Sequence, residues 1–430
     1  MFGISVCPAL MLKIVHVLWG QIIVALVTFG GLRVYTELLD RESFGIAMLC
    51  MGAVSLLDGI SVMALHQTVV ALCSRLQGLE DRRRLAVGLL YLAVVGCATL
   101  ALVATLVCAL LSLTVPRLIF YAWVPIAIVT YLAAELTKST QQALLSLKSD
   151  FVRLSFWSTG EAILGFGCTC MLLLVWRADW LSYLIGYFIS RLLSCALFTV
   201  IFARCSFFRH VHVGAARKTI GQALTFGVPV AAMAPLGWIS TFLDRFIIGS
   251  MMGAAETGTY VAATSLVSRP YALTTAVLTN YFRPQLYVAA QDSALLRQSM
   301  YRWILAALLI GAAGAIAIFA AGDFITDLML AAPYRQGATV LMLVFSIAQT
   351  ISIATHAMDN AILALGRSAK LLKIQTALSI FTVMMIPIGV FWMGAAGAVI
   401  ARCFAEAAKF IGTWALFKYL SSSLRMREAK

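Results

Sequence analysis

Fourteen ionisable side chains stand inside stretches of sequence that are otherwise apolar. They are the acids Asp58, Glu135, Glu161, Asp244, Asp359 and Glu406, the cations Arg191, Arg245, Arg269, Arg402 and Lys409, and His16, His66 and His356. Two kinds of chemistry suit them. A guanidinium stays protonated where the dielectric is low and donates paired hydrogen bonds to phosphate, so Arg191, Arg245, Arg269 and Arg402 are the candidate ligands for an anion. A buried carboxyl whose surroundings change can take up and release a proton or hold a small cation, which makes Asp58, Glu161, Asp244 and Asp359 the candidate coupling sites. Covalent chemistry has no comparable support. His210 and His212 form an HxH pair with no third ligand nearby, and no catalytic residue or metal site is expected.

Spacing arranges several of these residues in stripes. Arg402, Glu406 and Lys409 fall on one helical face, as do Glu135, Lys138 and Gln142, and Gln349, His356, Asp359 and Asn360 form a third. Pairing within a stripe competes with any functional role: Glu406 can reach Arg402 or Lys409, and Glu135 can reach Lys138. Depth separates the cations. Arg191 and Arg269 fall near mid-span, whereas Lys138 and Lys409 approach a surface to which they can snorkel. In "STFLDRFIIGS" Asp244 lies roughly 35 Å along a straight helix from Gly221, which puts the Asp244 and Arg245 pair at one mouth of the span. There the two either pair with one another or leave Arg245 lining an opening.

The elements that must carry these residues follow from composition. The chain has 430 residues, 62% hydrophobic and 12% charged, against roughly 45–50% and 25% in a soluble domain. A hydrocarbon core needs about 20 apolar residues per helical crossing. Twelve such runs are read, at 10–31, 44–72, 86–112, 118–147, 152–175, 181–203, 221–249, 258–285, 302–321, 337–365, 372–392 and 396–418. The connections are short, so no soluble domain is inserted. The first run has no basic segment and cleavage site and reads as a span, not a removed signal. Most of the ten cysteines fall in apolar runs, where they pack as small hydrophobes.

The net charge of +14 reports orientation, not a nucleic-acid partner. Of 32 Lys and Arg, 22 fall on one side of the alternating loops and five on the other, which places both termini in the cytoplasm. The twelve runs divide at a basic hinge into an N-lobe, 1–205, the hinge, 206–219, and a C-lobe, 220–430. Internal matches support a repeat: "ALLSLKSDF" against "AILALGRSA" at an offset of 218, and Gly45 in "ESFGIAM" against Gly258 in "AETGTYV" at 213. An even-numbered repeat is parallel, and transporters so built bind substrate between the halves. The third and ninth runs, nearly free of polar side chains, are assigned to the lipid-facing perimeter. The expected fold is an all-α integral membrane protein, twelve transmembrane helices in two six-helix lobes around a central cavity.

With "FGVPV" opening the seventh run, "LDRFIIG" closing it, "ETGTY" opening the eighth and "AILALGRSAKLL" after the tenth, the chain resembles the polysaccharide transporter and lipid-linked oligosaccharide flippase family. That family belongs to the superfamily that includes the multidrug and toxin extruders. Pro229, Asp244, Arg245, Gly258 and Tyr260 match family-like positions, while the first half has no equally clear counterpart of Asp244 and Arg245. The resemblance implies a multi-pass protein of the bacterial inner membrane that moves undecaprenyl-diphosphate-linked glycans by alternating access. It further implies H+ or Na+ as the coupling ion, no resident cofactor, and membrane lipids, a glycan polymerase and export machinery as partners. The alternative is a cation-coupled multidrug or metabolite extruder of the same superfamily, although the first run lacks the acid such proton-coupled members carry there. An enzyme would require larger loops, and a scaffold would have no use for repeated lobes with polar interiors.

Overall fold

The computed structural model describes residues 8–74, 78–111, 124–148, 150–203 and 213–428. Helix follows helix: α1 (Pro8–Leu38), α2 (Arg41–Leu57), α3 (Ala64–Cys73), α4 (Leu79–Leu111), α5 (Val124–Leu147), α6 (Phe151–Val175), α7 (Trp180–Ala203), α8 (Val213–Met252), α9 (Ala254–Val288), α10 (Ser293–Met329), α11 (Ala338–Ala364) and α12 (Ser368–Glu428). In hydrocarbon every backbone amide must find an internal partner, and a helix supplies one for each. Half of the basic hinge, with His210 and His212, lies outside the described residues.

Local sequence sets the ends. The Asp150 side chain accepts from the Arg153 amide to cap α6, and Asp292 accepts from the amides of Ala294 and Leu295 to cap α10. Between α2 and α3 the backbone passes through a π-helical stretch, Asp58–Met63. The wider turn there re-aims the side chains that follow, as such bulges do at functional sites. Within α12, Gly394 takes φ 61° and ψ −142°, a conformation that only glycine adopts freely, and so breaks the helix between the last two apolar runs.

Nine stretches among the described residues are long and apolar enough to cross a membrane. α5 and α9 are not among them. Both were read from sequence as spans, but Glu135, Lys138, Ser139, Thr140 and Gln141 in α5 and the many Thr, Ser and Tyr residues of α9 dilute their apolar character. The last two apolar runs join in the single stretch Ser368–Ser421.

The helices group into two compact units, Met1–Gly31 with Cys50–Pro235, and Leu32–Leu49 with Leu236–Lys430. In unit 1, Val69, Leu72, Leu85, Ala86, Leu89 and Ala143 bury one another where α3, α4 and α5 meet, and Trp157 of α6 stacks on Phe198 of α7 at 3.7 Å. In unit 2, Phe282 of α9 stacks on Trp303 of α10 at 5.7 Å.

Unit 2 incorporates the turn between α1 and α2. Tyr334 donates to the Leu39 carbonyl at 2.9 Å, the Ala331 amide donates to the Thr36 hydroxyl at 3.2 Å, and Arg33 donates to the Leu330 carbonyl. Phe44 meets the Tyr334 ring edge-on at 5.7 Å. Gly45 and Gly258, equivalent in the sequence repeat, face each other: a methyl on Gly45 would strike the Ala254 carbonyl, and one on Gly258 the Arg41 carbonyl. Here α2 and α9 touch backbone to backbone.

Candidate functional site

Among the described residues, each unit buries ionic contacts. In unit 1, Lys138 of α5 lies between two carboxylates, 2.6 Å from Glu135 and 2.8 Å from Glu161 of α6. Arg191 of α7 pairs with Glu161 and reaches Glu135 at 3.7 Å, and its guanidinium lies 4.7 Å from the centre of the Tyr187 ring. Two acids and two cations thus neutralise one another. Lys138 and Glu135 are only 5% and 6% exposed, so snorkelling is replaced by pairing: Glu161 offers Lys138 a second carboxylate in the interior. Asp58 stands beside this network, at the start of the π-helical stretch. Its one oxygen accepts from the Tyr131 hydroxyl at 2.9 Å, while the other is buried without a hydrogen-bond partner.

In unit 2 the central acid is Asp244 of α8, 2% exposed. One oxygen accepts from the Tyr260 hydroxyl at 2.6 Å and from Arg402 at 2.7 Å. Arg245 is therefore not the partner of its neighbour. Consecutive residues on a helix point about 100° apart, and Arg245 swings over the Phe242 ring, 4.8 Å from its centre. Arg245 and Arg269 have no ion-pair partner among the described residues, and Arg269 is exposed. Asp244 still acts electrostatically on Arg245, ahead of Arg402 and Arg269, so the three cations share one neighbourhood with a single carboxylate.

The last stripe divides as its spacing allows. Glu406 pairs with Lys409 at 3.1 Å, Lys409 also donates to Ser240 at 2.9 Å, and Arg402 turns away to Asp244. On α11, Asp359 accepts from Gln375 at 3.1 Å and lies 3.9 Å from His356, and its other oxygen is buried without a hydrogen-bond partner. Asn360, on the same stripe, accepts from Arg283 at 2.8 Å.

The candidate residues thus fall into distinct states. Arg191 and Arg402 are in ion pairs, whereas Arg245 and Arg269 are in none among the described residues. Glu161 and Asp244 are held by cations; Asp58 and Asp359 receive neutral donors and keep an unpartnered oxygen. The Tyr131 phenol is not singled out by the sequence, whereas Tyr260 stands among the family-like positions without a role assigned to its hydroxyl. Tyr131 precedes Glu135 by one helical turn, a spacing that would have added it to the stripe; the bond of Tyr260 to Asp244 has no spacing signal, only the place of both among the family-like positions. No group of three or more metal-binding side chains occurs among the described residues.

Residues 11–282 match a family described as polysaccharide biosynthesis protein. No curated protein matches the chain in sequence. Among solved structures, the chain resembles the lipid II flippase MurJ in an inward closed conformation, with a TM-score of 0.70 at 13% identity over 95% of this chain and 87% of that one. It also resembles an inward-facing multidrug resistance MATE family transporter of the MOP superfamily, with a TM-score of 0.66 at 14% identity over 94% and 96% of the two chains. A third is a MOP superfamily transporter from Pyrococcus furiosus described as having a binding pocket of reverse polarity, with a TM-score of 0.62 at 14% identity over 96% of each chain. At these identities the likeness is one of fold.

Proposed function

The chain belongs to the polysaccharide biosynthesis protein family and is a multi-pass membrane protein, and from that premise we propose that it is a flippase for diphosphate-linked polyprenyl glycans in the bacterial inner membrane. The observation that carries this reading is the charge balance around Asp244. One carboxylate, held by Arg402 and Tyr260, is shared by three cations, and Arg245 and Arg269 make no ion pair of their own among the described residues. Three guanidinium groups sharing one carboxylate in a low-dielectric setting favour a polyanion, and a diphosphate offers each unpaired one a fork-shaped partner. An extruder of cations would have to overcome the same charge.

The protein lowers the cost of moving a polar head group through hydrocarbon by substituting its own donors for water. Arg245 and Arg269 bind the diphosphate, Arg402 and Tyr260 keep the Asp244 carboxylate from competing for them, and the polyprenyl chain stays in lipid. Arg191 orders the interior of unit 1. Of the four carboxyls considered for coupling, Asp58 and Asp359 fit best, because neither is committed to a lysine or arginine and each has an oxygen free for a proton or a sodium ion. The product passes to a glycan polymerase and export machinery.

The test is leaflet-to-leaflet movement of a fluorescent undecaprenyl-diphosphate oligosaccharide in vesicles. Arg245→Gln with Arg269→Gln is expected to slow movement at least tenfold. Asp58→Asn and Asp359→Asn are expected to remove its response to an imposed proton or sodium gradient. Wild-type movement in the double arginine variant would overturn the assignment.

A further inference from the structure

The apolar stretch of α10 starts at Ala294 and that of α12 ends at Ser421, and these two ends meet. The Tyr301 ring lies 5.8 Å from Trp414, Trp414 stacks on Phe410 at 6.0 Å, and the Lys418 ammonium sits 5.7 Å from the centre of the Trp414 ring. Two membrane-capable stretches that touch end to start reach the same bilayer face. Tyr and Trp beside Lys and Arg are the side chains that populate the head-group level of such a face.

A shallow, open groove runs along one face of α10 there, lined by Ala294, Arg297, Gln298, Tyr301, Arg302 and Leu305 of that helix alone. The amides at the start of α10 are already capped by Asp292, so the arginines, not the helix terminus, give the groove its charge. One to two turns further along the same face Leu305, Leu308 and Leu309 are exposed. A cationic, aromatic mouth that continues into an apolar strip matches one chemistry, a phosphate attached to acyl chains.

We propose that this groove binds an anionic diacyl phospholipid, its phosphate between Arg297 and Arg302 and one acyl chain along Leu305 and Leu309. A soluble anion would have no use for the apolar strip, and a zwitterionic lipid would gain less from the two arginines. The site is separate from the residues given to the transported glycan and stands whether or not that assignment holds.

The experiment uses the full chain in nanodiscs of equal phosphatidylglycerol and phosphatidylethanolamine, with retained lipid counted by native mass spectrometry. Wild type is expected to retain phosphatidylglycerol preferentially, and Arg297→Gln and Arg302→Gln to lower that preference about fivefold each. Arg84→Gln, an equal loss of charge elsewhere, is expected to leave it unchanged. Equal retention of both lipids by wild type, an equal loss in the Arg84 control, or displacement of the lipid by inorganic diphosphate would each overturn the proposal. Should Arg297→Gln lose its melting transition, Arg302→Gln alone, at an exposed position, decides the matter.

Discussion

A buried charge is stable only while its partner is present, and Asp244 supplies the sharpest case. Asp244→Asn leaves Arg402 uncompensated and should cost about 3–5 kcal/mol; Tyr260→Phe removes one hydrogen bond to a charged group and should cost about 1.5–3 kcal/mol. Melting curves of the detergent-solubilised variants, followed by tryptophan fluorescence, should preserve that order. In unit 1, Lys138→Met and Glu161→Gln should couple by about 1–3 kcal/mol in a double-mutant cycle, because the two groups touch directly within one buried network and each variant alone unbalances its charge. Additive effects would show that the contact carries no energy. Legibility at this scale follows the helix repeat. Glu135 with Lys138 and Glu406 with Lys409 stand three residues apart and were readable as pairs. Asp244 and Arg402 are 158 residues apart, a contact made only by packing α8 against α12. Their separation also hid the fact that Arg245 makes no ion pair with its adjacent acid.

Helices were legible where sequence is uniformly apolar and less so where it is mixed. α10, read as a perimeter span, is the plainest: Leu305, Leu308, Leu309, Ile316 and Phe319 all stand exposed along it, as lipid contact requires. In α5 and α9 the polar residues that lower their apolar character are the ones that form networks, so the signals for crossing a membrane and for lining an interior oppose each other. The π-helical stretch at Asp58 has no sequence signature of its own. Glycines were better guides. Gly45 and Gly258 were singled out by their matched places in the repeat, and the structure brings them into contact. Gly258→Ala would drive a methyl into the Arg41 carbonyl and should cost about 1–3 kcal/mol. Gly96→Ala, facing open space within α4, should be neutral or stabilise by up to about 1 kcal/mol. Comparing the two melting temperatures checks the claim, and similar values would refute it.

The architecture of the whole chain was readable as far as its class. A composition of 62% hydrophobic residues requires a lipid environment, and the helical fold shared with flippases and extruders bears this out. Orientation is an expectation from loop charge, and it is checkable: reporter enzymes fused after Lys430 and within the loop at Asp179 should report opposite compartments. The grouping of helices was less legible, since nothing in the sequence announces that residues 32–49 pack with the second unit. That placement has a practical outcome. Cutting the chain after residue 212 would not release unit 2 as a self-sufficient piece, because its Tyr334, Ala331 and Gly258 would lose the partners supplied by the severed upstream fragment. The two fragments, synthesised separately in one cell, should instead complement each other and co-purify as a nicked but intact protein.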